Sequence, residues 1–336
     1  MDTLNIAEHR KASVAVEAVS LKGRLVQAVG TEIMGRNVVV TGRALCTASI
    51  KDEEWNEQGV LQEPGSFIAA LRERSIRADL FMFTAGFEPR HEPIQGCHFE
   101  WDNAAVVPIT TFKDWWEGRL PQEARKNVRR SERRGVTVKP VVFDAALVAG
   151  IKRIYDETPV RQGRRFWHYQ KDLETVEREN SSYLDRSDFF GAFFEGQLIG
   201  FVKMVYVGRV VRIMQILSMN AHFDKRPANA LLAKCVERCC ERKMEYFVYG
   251  KYVYGNKRNS PVTEFKRRTG FEELRFRRYY APLTTWGRVA LGMRLHLGLQ
   301  DILPERVTEL LLKMRAGLYA RTAAASHDVG GTEGKD

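Results

Sequence analysis

Four groups of residues in this chain have the types and spacing to do chemistry. Three tyrosines, Tyr249, Tyr252 and Tyr254, crowd the stretch EYFVYGKYVYGN (245–256), and Lys251 and Asn256 beside them could orient a substrate. Tyr252 and Tyr254 fall past the end of a predicted strand, where a site would open. In IYDETPVRQGRRFWHY (154–169), Arg161 and Arg164 could grip a phosphate or carboxylate, and His168 could do the same or serve as a base. The loop AHFDKRPAN (221–229) brings Lys225 and Arg226 to the start of a predicted helix. The free N–H groups and dipole of such a helix end, at Ala228 and Asn229, favour an anion. In LPQEARKNVRRSERRG (120–135), Arg125, Lys126, Arg129, Arg130, Arg133 and Arg134 form a basic run. Such a run is either a solvated helix or a platform for a sugar-nucleotide diphosphate or RNA. Any one of these residues alone has an ordinary explanation in the core or on the surface, so the grouping carries the argument.

The elements that must position these groups can be read from periodicity and punctuation. Residues 1–35 show no firm pattern. VVVTGRALCTASI (38–50) reads as a strand or strand pair, PGSFIAALRER (64–74) as a helix, and ADLFMFTA (78–85) as a short buried strand. WDNAAVVPITTF (101–112) is extended, with Pro108 marking an edge or a break. The basic run 120–135 is a helix between Pro121 and the stop at Gly135. A strand (136–143) and a helix (145–158) follow, and FWHYQKDLETVEREN (166–180) reads as a second helix. Three adjacent strands then fill 188–218, with a helix at 227–243, a strand at 245–250, a helix from Pro261 and a final strand ending near Leu283. Beyond it a basic, leucine-rich helical pair (284–320) is expected to pack back on the domain or lie on an anionic membrane surface, before a disordered tail.

Composition sets outer limits. The chain has 336 residues, 44% apolar and 10% aromatic, and suits about two globular domains. A net charge of +11 favours anionic partners. The five cysteines lack a CxxC pair, and Cys235 and Cys239 are better core residues than ligands, so reduced thiols, no metal and a cytoplasmic location are expected. Asp2, Glu8 and Glu17 interrupt any apolar run at the N-terminus, and no signal peptide is expected.

The order from 136 to 283 resembles the GNAT acyl-CoA N-acyltransferase fold. That resemblance implies an α/β (α+β) architecture: a mixed, mostly antiparallel sheet flanked by helices. It further implies that the fourth and fifth strands, RVVRIMQILS (209–218) and EYFVYG (245–250), splay apart to admit acyl-CoA against a strand edge that includes Ile216 and Leu217. Lys225, Arg226, Ala228 and Asn229 would face the pyrophosphate. The glycine-rich Q/R-x-x-G-x-G/A signature of such loops is absent, with Ala228 and Ala230 in its place. Three stretches resemble the FemAB-type branch: the basic helix with its glycine stop, IYDETPVRQG with its "Y-x-x-T-x-x-R-x-G" turn, and FKRRTGFEELRFRRYYAPL (265–283) with its "F-K-x-x-F-G … Y-x-P-L" end.

The resemblance implies an N-acyltransferase in which an amine attacks a thioester and the departing thiolate takes a proton from an acid, commonly a tyrosine. Tyr252 and Tyr254 are the candidates for that acid, with His168 as a base. Arg161, Arg164, Lys251, Asn256 and Arg129 are candidates for holding the acceptor or its phosphate. The acceptor class is an amino sugar or amino acid in cell-envelope or polysaccharide assembly. The alternatives are an aminoacyl-tRNA donor or a binding protein that keeps the fold. Three regions are expected: an N-terminal α/β unit (1–118) that could be a degenerate GNAT-like half, the acyltransferase domain (119–283) and the C-terminal extension (284–336).

Overall fold

The computed structural model describes residues 15–21, 24–51, 61–74, 76–84, 86–87, 92–161, 163–255 and 260–297. Along them the chain forms β1 (Ala15–Leu21), β2 (Arg24–Ile33), β3 (Arg36–Thr41), β4 (Thr47–Ile50), α1 (Pro64–Glu73), β5 (Leu80–Thr84) and β6 (His98–Pro108). Next come α2 (Phe112–Asp114), α3 (Gln122–Arg133), β7 (Thr137–Val141), α4 (Ala145–Asp156), β8 (Val160–Arg161), β9 (Arg164–Arg165) and α5 (Leu173–Asn180). The rest is β10 (Ser187–Phe194), β11 (Gln197–Val207), β12 (Val210–Ser218), α6 (Pro227–Glu241), β13 (Tyr246–Val248), α7 (Pro261–Arg268), β14 (Glu272–Pro282) and α8 (Thr285–Gly292). The described residues fall into two units: those up to Asp102 together with 275–297, and Asn103–Leu274.

In the first unit the strand order is β1-β2-β3-β4-β5-β14, antiparallel except for the parallel pair β4 and β5. Phe67 and Leu71 of α1 reach the sheet at a column of stacked rings: Phe67 on Phe81 (5.3 Å), Phe81 on Phe83 (5.1 Å) and Phe83 on Tyr279 (5.4 Å). The hairpin β1–β2 is a departure from the sequence expectation, which found no pattern before residue 36. Val16 is 70% and Val29 46% exposed, so apolar side chains stand on the solvent face there and blur the inside–outside alternation.

In the second unit the order is β6-β13-β12-β11-β10-β7, antiparallel except for β12 and β13. Nine consecutive residues of β11, Leu198–Tyr206, are buried, as fits a central strand covered on both faces. Helix α6 packs on β10, β11 and β12, and α3 packs on α6. Pro108 closes β6, where a missing N–H is least costly. Gly135, at φ +80°, is the left-handed stop after α3.

One expected helix is shorter than its sequence suggests. Residues 166–172 form turns, and α5 begins only at Leu173. Asp172 accepts a hydrogen bond from the Thr175 amide (2.7 Å), the N-cap that fixes the start, and Gln170 sits at φ +61°, which no helix continues through. Of the C-terminal helical pair only α8 and its following turn lie within the described residues; the remainder of 284–320 and the tail lie outside them.

Within the first unit Gly287 of α8 approaches the backbone so closely that a Cβ there would meet the Asp79 carbonyl oxygen at 2.0 Å. Gly287→Ala must therefore shift the helix, and thermal denaturation is expected to show a loss of about 1–3 kcal/mol.

Candidate functional site

The second unit contains a break in its sheet. Strands β12 and β13 pair in parallel over only three residues, Val210↔Tyr246, Val211↔Phe247 and Arg212↔Val248. Beyond Arg212, β12 continues to Ser218 without β13 beside it, while β13 is held on its other side by β6 (Val248↔Val106), with Tyr249 N–H donating to the Ala105 carbonyl at 2.9 Å. On the far edge of β12 the register with β11 slips, from Gln215↔Lys203 to Ile213↔Met204, which leaves Met214 as the extra residue of a bulge. A bulge bends and twists its strand, and here it lies where the two strands part. The result is a gap flanked by the edge of residues 213–218.

The segment 154–169 closes one end of that edge. Arg161, largely buried, donates to the Ser218 carbonyl (2.9 Å), to the Ile154 carbonyl (3.0 Å) and to the Glu157 carboxylate (3.1 Å). Glu157 in turn accepts from the amides of Asn220 (2.7 Å) and Ala221 (2.8 Å). Burial pulls the Arg161 pKa below its ordinary value. Beside it, Gln215 Nε2 lies 3.1 Å from His168 Nε2, and Gln215 Oε1 accepts from the Tyr155 hydroxyl (2.9 Å), which itself accepts from Asn180 Nδ2 (3.3 Å). Burial, helped by Lys171 and Arg161, lowers the His168 pKa to about 3, so the ring is neutral at ordinary pH. The same burial pushes the Tyr155 phenol up to about 12. Lys203, fully buried on β11, donates to the Asn180 carbonyl (2.7 Å) and to the carbonyl and hydroxyl of Ser182, and burial brings its pKa down to about 7.

Past the end of β13 the chain turns at Gly250 (φ +56°), and the Tyr254 hydroxyl sits over this glycine, 2.6 Å from where a Cβ would be. Lys266 of α7, completely buried, reaches into this turn. Its ammonium donates to the Lys251 carbonyl and lies 4.6 Å from the Tyr249 ring centre and 4.8 Å from that of Tyr254. Burial lowers its pKa to about 7, a range in which an amine both takes and gives a proton readily. Tyr249 and Tyr252 are both raised above the ordinary phenol value by burial. Tyr254 is 44% exposed.

Before α6 the chain makes a short turn, Asn220–Lys225, and Arg226 takes the left-handed region (φ +56°) at the helix cap, with Ala228 and Asn229 in the first turn of α6. Lys225 pairs with Asp224 (3.4 Å) and lies over the Phe194 ring (4.6 Å). Arg134, at the end of α3, also pairs with Asp224 (2.6 Å) and so ties the basic helix to this turn. The basic residues of α3 then divide. Arg125 caps the carbonyls of Trp116 and Glu117, both at 2.7 Å, and Arg129 lies 5.9 Å over the Trp116 ring. Lys126, Arg130, Arg133 and Arg134 line a groove of about 600 Å³ with Glu123 and Asn127.

The residues singled out from the sequence thus fall into three places. Arg161 and His168 stand against β12, Tyr252, Tyr254 and Lys251 stand past β13, and Lys225, Arg226, Ala228 and Asn229 stand at the head of α6. Ile216 and Leu217 lie on the free stretch of β12, paired on the other side with Val202 and Phe201. Arg164 is in β9, with its side chain outside the described residues, and Asn256 lies outside them altogether. Cys235 and Cys239 are buried in the main core, as expected.

Sequence reasoning passed over Glu157, Gln215, Lys203 and Lys266. The clearest signal was for Lys266, as the lysine of the F-K-x-x-F-G stretch. A charged residue in the midst of an apolar strand marked Lys203 less clearly.

Residues 122–267 match the acetyltransferase (GNAT) domain family. Over that segment and beyond it the fold is GNAT-like, a large, mostly antiparallel sheet flanked by helices. The fold of the chain is similar to that of the FemX crystal structure, at 11% identity over 81% of this chain and 88% of that one, with a TM-score of 0.52. The structure of L-PGS from Bacillus licheniformis is likewise similar, at 15% identity over 80% and 88% with a TM-score of 0.52. So is the C-terminal domain of a putative lysylphosphatidylglycerol synthetase from Agrobacterium fabrum, at 14% identity over 79% and 87%, also 0.52. At such identities the likeness establishes the fold. No curated protein matches the sequence.

The buried Lys266 has a pH signature. Between its folded pKa of about 7 and its ordinary value of 10.5, the unfolded chain holds a proton that the folded chain does not. Its contribution therefore makes stability rise with pH across that window, by up to about 1.4 kcal/mol per pH unit. Urea denaturation between roughly pH 7.5 and 9.5 is expected to show a steeper rise in the native protein than in Lys266→Met, by about that slope.

Proposed function

We propose that the protein is an acyl-CoA-dependent N-acyltransferase whose donor lies in the gap between β12 and β13. The observation that carries this reading is the parting of those strands after Arg212, with the bulge at Met214 beside it. An extended donor chain carrying amides can add to the edge of residues 213–218 as a strand would. Its phosphates then fall to the head of α6, with Lys225 and Arg226, and to the groove of Lys126, Arg130 and Arg133. The acceptor is an amine on an anionic small molecule, such as an amino sugar or amino acid used in cell-envelope or polysaccharide assembly.

In the reaction the amine nitrogen forms a bond to the thioester carbonyl carbon and the carbon–sulfur bond breaks. The proton from the amine passes to a base, and the departing thiolate takes one from an acid. Tyr252 and Tyr254 supply the acid, and Lys266 beside Tyr254 titrates where it can resupply the proton. His168, neutral and held by Gln215, serves the acceptor side as a hydrogen-bonding and positioning group. Arg161 is a positioning residue that holds the end of β12.

A second reading has support from the absent loop glycines, from the basic groove on α3 and from the FemX-like and L-PGS-like fold: transfer of an aminoacyl group from its tRNA to an amine or a lipid headgroup. Calorimetric titration of the full chain with acetyl-CoA, longer acyl-CoAs and aminoacyl-tRNA separates the two. Saturable binding of a CoA thioester is expected, weakened about tenfold in Arg130→Ala/Arg133→Ala. Tyr252→Phe and Tyr254→Phe are expected to lower turnover by about 10²-fold or more while leaving donor affinity in place. Binding of charged tRNA with none of any CoA species at millimolar concentration would overturn the first reading in favour of the second.

A further inference from the structure

The first unit carries a cluster that acyl transfer does not use. His98 and Glu100 occupy alternate positions on β6, so both side chains leave the same face of the strand. His296, in the turn after α8, comes to them from the other end of the unit. Glu100 Oε1 lies 3.5 Å from His98 Nε2 and 3.2 Å from His296 Nε2, and the three donor atoms all fall within 4.8 Å of one another. A tetrahedral ion with bonds of about 2.0–2.1 Å sets neighbouring donors roughly 3.3 Å apart, so the two measured spacings are those of adjacent ligands. We propose that His98, Glu100 and His296 form a binding site for one divalent transition-metal ion of the zinc type, with its fourth position open to the adjoining pocket.

The surroundings suit such an ion. The side chain of His296 is only 2% exposed, and its ring is fixed by edge contacts with Tyr280 (centroids 4.6 Å) and His98 (5.7 Å). Two imidazoles and one carboxylate make a donor set of intermediate softness, suited to zinc and its neighbours and poorly to calcium or magnesium. The open side faces a pocket of about 690 Å³ lined by Phe99, Trp101, Leu291 and Arg294. The Arg294 guanidinium, 4.0 Å from Glu100 Oε1, stands where it would meet an anionic fourth ligand. An ion here links β6 to the turn after α8, and because the site forms only on folding, metal binding adds directly to the stability of the folded chain.

The test uses the metal-free full chain, titrated with Zn²⁺ by calorimetry and with Co²⁺ by visible absorption. The expected result is one equivalent per chain, ligand-field bands of tetrahedral Co²⁺, and a rise in Tm on loading. His98→Ala and Glu100→Gln, both near the surface, are expected to keep the native circular dichroism and to lose at least about tenfold in affinity, since loss of even an outer-shell partner costs 10–100-fold. Absence of stoichiometric binding by either ion overturns the proposal. So does unchanged affinity in both variants, which would place the ion elsewhere. Metal uptake is read without an acyl-transfer assay, so its failure and the failure of the proposed activity are distinguishable.

Discussion

Much of the second unit is arranged around a strand pairing that stops early. A β-strand leaves its edge amides and carbonyls unmet when its neighbour departs, and buried backbone groups of that kind must find partners. Here β12 keeps β13 for three residues and then runs on to Ser218 with β11 on its other side. The bulge at Met214 bends the strand at that point, and Arg161 fixes its far end by binding the Ser218 carbonyl. Glu157 completes the arrangement by neutralising Arg161 and accepting the two amides that follow β12. These hydrogen bonds fix the end of β12 where β13 has left it.

The polar groups buried around this gap are costly unless satisfied. Lys203 has three oxygen partners, and Tyr155, Gln215, Asn180 and His168 form a connected chain. Lys266 has the Lys251 carbonyl and two aromatic faces. Such networks hold side chains in single positions, which is what a site that must orient two reactants requires. Clusters of strongly shifted titratable groups also mark functional sites more often than inert core, and here they lie on both sides of the parted strands.

The excess positive charge has a local use. Arg125 and Arg134 spend their hydrogen bonds on the protein, the first capping a helical turn and the second tying α3 to the turn before α6. That leaves Lys126, Arg130 and Arg133 facing a common groove. Part of the chain's positive charge is thus gathered in one groove on α3, which Arg134 ties to the turn before α6, and such basic grooves favour phosphates.

The sequence was informative where a local rule has one outcome. The three adjacent strands over 188–218 became β10 to β12, Pro227 placed the start of α6, and the order of strands and helices from 136 to 283 matched the GNAT-like sheet. It misjudged places where local signals compete: the exposed valines of β1 and β2 hid a hairpin, and the cap at Asp172 cut short a helix that 166–180 seemed able to form. Lys266 was legible only as part of a motif, since nothing local says that a lysine will be buried between two tyrosines. Glu157, Gln215 and the trio of His98, Glu100 and His296 were not legible, because Glu157 also serves the amides of Asn220 and Ala221, Gln215 meets Tyr155 and His168, and His296 comes to β6 from almost two hundred residues away. The chain by itself determined the kinds and order of elements, which follow from spacing of two to four residues. Tertiary structure decided how far β12 and β13 remain together and which charges meet, because those depend on packing between segments that no short-range pattern links.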